Sequence, residues 1–389
     1  MKCLNPIAFA LSLPALALAS CAQADSGDSA AQTAGESGER PFTSEVMAVF
    51  EEPWAIEFAP GTGVLFVTEQ GGSLKVMDTA TGEIGTVSGV PAVDYGGQGG
   101  LGDIAFLPGE ADTNLTGRTI YLSFAEAGEG DTRGAALGRG KLDCNATDNC
   151  SIQGFEVIWR QAPKVTGRGH YSHRIQVPPD GRHLFVASGD RQKQTPAQDL
   201  SNTLGTIVRL NLDGTPAEGN PLADREGVPD EIWSWGHRNI LGMDFDAEGR
   251  LWETEHGPKG GDELNVVERG ANYGWPERSF GINYNGSPIP DHSPDDGFAK
   301  PEVHWTPVIA PGDMIIHSGE MFEGWRGDAL IAGLKTKAII QVTLEGDTAR
   351  ETARYDMGSR LRSIEEGPDG AVWIAEDGED GRLLKLTPR

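Results

Sequence analysis

Basic residues are in short supply. The 389-residue chain carries 32 Lys and Arg against 58 Asp and Glu, a formal net charge of −26. So acidic a chain repels phosphate backbones and anionic lipid headgroups, which argues against nucleic acid or an anionic membrane as a partner. Cysteine is scarce too: there are four, and only Cys144 and Cys150 lie in the mature globule. Two cysteines alone make a poor metal site, whereas a local disulfide in "CNATDNC" suits an exported protein. No stretch shows a helical period over ten or more residues, which points away from helical folds. No glycine-rich strand-to-helix fingerprint is present, so NAD is not the expected cofactor.

What is present begins with an export signal. Residues 1–24, "MKCLNPIAFALSLPALALASCAQA", have a basic Lys2, an apolar stretch and then small residues. That is a secretory signal peptide, too short and wrongly flanked for a membrane span. Two cuts compete: "LASC" is a lipoprotein-type site that would put a lipid anchor on Cys21, and "AQA" is an ordinary cut after Ala24. Residues 25–42 start small and polar and read as a flexible linker. The reading leaves residues 43–389 as one catalytic domain, exported to the periplasm, with lipid anchorage as the only membrane link.

One pattern recurs along that domain, a glycine turn followed by a short apolar-aromatic run. It appears as "APGTGVLFVTE", "PPDGRHLFVASGD", "DAEGRLWETEHG" and "GPDGAVWIAEDG", with looser copies "GRTIYLSFAEA" and "WRGDALIAGLK". Turn residues followed by β-branched and aromatic residues are hairpin grammar. Six copies predict an all-β fold, a six-bladed β-propeller of four-stranded antiparallel blades. A pair of β-sandwiches is the rival, but it does not explain why each copy ends in polar, glycine-rich sequence.

In a propeller those ends converge on one face. They bring Arg191, Arg238, Lys335, Arg360 and Arg362 to strand-end positions, an anion trap for a ligand with several carboxylates. Arg360 and Arg362 are two apart and point the same way on a strand. The loop "HGPKGGDE" has a tight Gly-Pro turn whose carbonyls suit a hard cation such as Ca²⁺, with Asp262 and Glu263 adding charge or holding the loop. A plain acidic surface turn is the alternative. "GHYSHR" offers His170 and His173; an imidazole near its reference pKa can take a hydroxyl proton at neutral pH.

Together "GGQGGLGDIAFLP", "EIWSWGHRN", "EHGPKGGDELN", "GANYGWP", "HWTPVIAPGDM", "GLKTK" and "SRLRSI" resemble the soluble aldose sugar dehydrogenases that use pyrroloquinoline quinone (PQQ), the glucose/sorbosone dehydrogenase-like family, from about Pro53 to Pro388. The resemblance implies a six-bladed propeller that oxidises aldoses at C1 to the lactone by hydride transfer to PQQ. It implies His170 as general base, with Arg238 and Asn239 at the quinone oxygens and Gln98 lining the pocket. Lys335, Arg360 and Arg362 would hold the quinone carboxylates, and Arg191 matches the aldose branch. The carbonyls of Gly257 and Pro258 would bind Ca²⁺, with Asp262, Glu263 and Tyr273 around that loop and a second calcium. Trp305 matches a substrate-side aromatic. The chain departs from the family pattern at Gly169 and at His173. Lack of the glucose enzyme's long insertions predicts a monomer with an open mouth; its electron acceptor is unidentified. The competing functions are a calcium-dependent propeller lactonase or hydrolase and a non-catalytic binding propeller.

Overall fold

Each of the six repeated segments forms the turn and second strand of a hairpin. In the computed structural model, which describes residues 39–111 and 114–389, these hairpins seed six four-stranded antiparallel sheets. Their first strands are Pro53–Phe58, Leu101–Phe106, Ser172–Gln176, Ile240–Phe245, Pro311–Ile316 and Leu361–Glu366. Every first strand packs beside the first strands of the two neighbouring sheets, so the six close a ring around a channel. This is the expected six-bladed propeller, not a pair of sandwiches. Among the described residues, regular structure other than strand is limited to three 3-10 turns at Pro108–Glu110, Thr195–Gln198 and Glu323–Trp325. The signal peptide, Cys21 and linker residues 25–38 lie outside the described residues.

The ring is closed by a strand that begins at the last residue of the expected linker, Phe42. Phe42–Phe50 pairs antiparallel with Gly381–Pro388 and completes the sixth sheet, with Phe42 opposite Pro388. Phe42 anchors the seam against Trp325 and Tyr355, edge-on at 5.8 and 5.6 Å between ring centroids. Burial of such a ring contributes about 1.5–3 kcal/mol. The core is distributed between sheets: Phe66 of the first meets Phe106 of the second, and Phe58 of the first meets Trp373 of the sixth. Cys144 and Cys150 form the expected disulfide, directly paired across the hairpin of Arg133–Ala146 and Asn149–Arg160.

Strand direction positions the chemistry. The first strands all start at one mouth of the channel and end at the other, where the glycine turns reverse the chain. Second strands such as His183–Ser188 and Leu251–Glu255 return to the starting mouth and release their polar ends there.

Candidate active site

Two loops at that mouth hold the reactive side chains in an unusual backbone. His170, Ser172 and His173 before and within the first strand of sheet three, and Arg191, Gln192 and Gln194 after its second strand, all have positive φ. Left-handed backbone at a non-glycine residue costs on the order of 1–3 kcal/mol and persists only where surroundings over-determine it. Here the surroundings are hydrogen bonds. His170 Nδ1 lies 2.7 Å from Asp190 Oδ1, and the indole N–H of Trp275 donates to Asp190 Oδ2 at 2.8 Å. The His170 backbone N–H donates to Gln98 Oε1 at 2.6 Å. Asp190 therefore fixes the proton on Nδ1 and leaves Nε2 as the basic nitrogen. Burial lowers the His170 pKa; the bond to Asp190 pulls it back up and Arg238 lowers it again. Burial pushes Asp190 up, but its bonds with His170 and Trp275 win and hold it below the usual carboxylate range. The pair is a neutral base beside a fixed anion.

His170, Asp190, Arg238, Pro258, Trp275 and Tyr284 line a cleft of about 330 Å³. Arg238 is buried, lies 5.2 Å from the Trp275 ring and donates to the His256 carbonyl at 2.9 Å, yet among the described residues its Nε has no partner. A second cavity of about 230 Å³ fills the channel mouth, lined by Gln98, Tyr171, His173, Asn239, Arg360 and Arg362 among others. Arg360 and Arg362 both bind Asp377, at 2.6 Å each for the closest atoms. One carboxylate shared by two guanidiniums leaves positive charge over. Among the described residues the buried Tyr171 hydroxyl and both His173 ring nitrogens are unpartnered, and burial lowers the His173 pKa to about 3. Flat walls, spare donors and surplus positive charge fit a planar, anionic, oxygen-rich ring system such as PQQ.

The Gly-Pro loop closes on itself. A Cβ on Gly257 would fall 2.0 Å from the Gly261 carbonyl oxygen, so glycine is required for the close approach. Asp262 spends both oxygens as a clamp, accepting from the Gly257 N–H at 2.9 Å and the Ala310 N–H at 2.6 Å, and burial lifts its pKa to about 7. Among the described residues no hydrogen bond reaches the Gly257 or Pro258 carbonyl. Two free carbonyls on a loop clamped by a carboxylate fit a hard cation.

The family profile of glucose/sorbosone dehydrogenases matches residues 50–385. The chain belongs to that family. The aldose sugar dehydrogenase YliI of Escherichia coli K12 is 36% identical over 344 residues, 87% of this chain and 91% of that protein. The crystal structure of the soluble Escherichia coli aldose sugar dehydrogenase in its apo form superposes with a TM-score of 0.83 at 35% identity, covering 90% of this chain and 100% of that one. The PQQ-bound aldose sugar dehydrogenase of Streptomyces coelicolor gives 0.73 at 26% identity, covering 90% and 98%.

Several expected site residues are packed or bonded away from the two larger cavities. Arg191 does not line either cavity: its guanidinium donates to the carbonyls of Gly169, Arg133 and Gly167 and lies 3.6 Å over the Tyr171 ring. It holds the histidine loop in shape. Trp305 is fully buried in the fourth sheet's core, its indole N–H on Glu351 at 2.7 Å, and offers no face to a sugar. Tyr273 is buried with its hydroxyl spent on the Val266 carbonyl and the Glu268 N–H. Glu263 is buried beside Glu255 and lines a small cavity together with Gly257 and Tyr273. The Lys335 side chain is exposed, next in sequence to the cavity residue Leu334. Gly169 has its own reason: a Cβ there would meet the Gln192 side chain at 2.5 Å.

Asp190, Trp275 and Asp377 are the site residues that sequence reading missed. Nothing in sequence spacing pairs Asp190 with a histidine twenty positions earlier.

Proposed function

We propose that the protein oxidises aldose sugars at C1 to the lactone, using PQQ and Ca²⁺. The observation that carries this reading is the 2.7 Å His170–Asp190 contact in a cleft shared with Arg238, beside the cation-rimmed cavity. Bound in that cavity, PQQ supplies a two-electron acceptor for the hydride leaving C1. The other steps belong to the chain. His170 Nε2 takes the C1 hydroxyl proton, and Asp190 stabilises the imidazolium that forms; such a base contributes ~10²–10⁴-fold in rate. Arg238 and the Asn239 amide would meet negative charge growing on cofactor oxygens as preorganised donors. Arg360, Arg362 and Lys335 would hold carboxylates, and the Gly257 and Pro258 carbonyls would hold Ca²⁺. Trp275 fixes Asp190 and walls the cleft, taking the substrate-side place that sequence reading gave to Trp305.

Reconstitution tests the proposal. The protein mixed with PQQ and Ca²⁺ should reduce an artificial dye when an aldose is added. Confirmed cofactor binding with no dye reduction across a broad sugar panel overturns it.

A further inference from the structure

Gln192 stands on the cleft wall in a conformation that needs a reason. It lines the cleft with His170 and Trp275 and is exposed, yet its backbone is left-handed, with φ 58°. Asp190 imposes that conformation. Its Oδ1 accepts from the Gln192 N–H at 2.8 Å, and its Oδ2 accepts from the Gln194 N–H at 3.2 Å. The carboxylate that orients the base therefore also fixes the loop that carries Gln192. Arg191 leaves the same loop into the protein, donating to the Gly169 carbonyl at 2.9 Å, while Gln192 is left on the cleft side.

The Gln192 carboxamide lies against Gly169, the residue directly before the base. A Cβ on Gly169 would fall 2.5 Å from Gln192 Cδ, 2.6 Å from Nε2 and 2.7 Å from Oε1. With Cδ nearest and both heteroatoms almost as near, the glycine meets the face of the amide and not its edge. A face-on contact uses no hydrogen-bonding capacity. Among the described residues Nε2 and Oε1 have no partner, and Gln192 is held through its backbone N–H. A donor and an acceptor are thus kept free beside the base, on a loop fixed by four contacts to Asp190, from His170, Trp275, Gln192 and Gln194.

We propose that Gln192 is a specificity-determining residue whose carboxamide reads the hydroxyl on C2 of the sugar, the carbon next to the one oxidised. The inference rests on the aldose reading above. With the C1 hydroxyl at His170, C1 has two neighbours in the sugar ring. The ring oxygen only accepts, whereas the C2 hydroxyl both donates and accepts, as a carboxamide does. The favoured substrates are aldoses with a free C2 hydroxyl, and 2-deoxy sugars are disfavoured. Gly169 serves the same contact, because any larger residue there would push the amide away from the base.

Equilibrium binding of glucose and 2-deoxyglucose, followed by saturation-transfer NMR, tests this on the mature full-length protein. It is measured with and without PQQ and Ca²⁺, the cofactor being reduced beforehand so that no sugar is oxidised. The parent should bind glucose ~3–10-fold tighter than 2-deoxyglucose, as one neutral hydrogen bond gives. Gln192→Leu, which keeps the bulk and loses both polar atoms, should bring the ratio close to one by weakening glucose. Gly169→Ala should do the same with the amide still present, since its Cβ displaces only the end of a flexible side chain. A merely structural role would weaken both sugars equally and leave the ratio where it was. If Gln192→Leu fails to fold, Gly169→Ala decides. A parent ratio near one in both states, or a ratio unchanged in the folded variants, overturns the assignment. Binding is read without turnover, so failure here is distinguishable from failure of the proposed oxidation.

Discussion

The two mouths of the channel are built from the same six strands and have opposite electrostatics. Where the strands start, the lining includes Gln98, Asn239, Arg360 and Arg362, with His170 and Arg238 in the adjoining cleft. Where they end, a cavity of about 300 Å³ is lined by Glu57, Asp103, Asp244, Asp313, Glu365 and Glu366 around the single guanidinium of Arg174. Acids there are crowded. Burial first, with repulsion from Asp103, Asp244 and Asp313, pushes Glu57 well above its usual range, and burial lifts Asp244 to about 7. At the first mouth Asp190 and Asp377 shift the other way and titrate low despite burial, because His170 and the arginines hold them ionised. An acidic protein has thus sorted charge along one axis, with its cations gathered where an anionic cofactor would sit. A hydrolase working through channel carboxylates would use the other end. Perturbing each mouth in turn separates these readings.

The largest effect belongs to the base. His170→Ala should cut sugar-dependent dye reduction by ~10²–10⁴-fold while leaving cofactor affinity nearly unchanged. Equal loss from substitutions at the acidic mouth would erase the functional contrast. Next come the anchors: Arg362→Ala should weaken PQQ by ~10–100-fold, the worth of one or two charge-assisted hydrogen bonds. Cofactor fluorescence titration measures this without turnover.

Asp190→Asn probes how the first mouth tunes its base. The neutral form of His170 is the active one, so activity falls as pH drops through its pKa. Burial has already moved that pKa below 6.5, so the acid limb of kcat/KM should lie below 6.5. The bond to Asp190 raises the pKa, so Asp190→Asn should slide the limb further toward acid and lower the plateau by roughly tenfold. A plateau drop with an unmoved limb would reduce Asp190 to a packing role.

The repeat made the architecture legible, because each glycine turn with its apolar run encodes one inner hairpin. The closing strand Phe42–Phe50 was illegible: it carries no repeat and finds its partner more than 300 positions away at Gly381–Pro388. The gathering of side chains at one mouth was legible where a motif names a residue that the fold sets on a cavity wall, as for His170, Arg238, Arg360 and Arg362. Arg191 sits in such a motif, but its left-handed backbone turns the guanidinium onto three carbonyls instead. The same backbone sets Asp190 against His170, a contact that no spacing rule supplies. The acidic mouth escaped notice because its members are scattered over the first strands of five blades, where each reads as an ordinary polar residue.

The smallest expected effect tests that mouth directly. The Glu57 carboxyl makes no hydrogen bond or ion pair among the described residues, so Glu57→Gln removes a charge without breaking a bond. Its folded pKa is raised above its unfolded one. The stability tied to its protonated form is therefore fully present below about pH 4.3 and is lost as pH rises through the folded value. Glu57→Gln should melt with the parent near pH 4 and about 1–3 °C above it at pH 8, with sugar oxidation unchanged. A lower melting temperature at pH 8 would mean that the Glu57 charge is compensated there, and the contrast between the two mouths would lose its electrostatic basis.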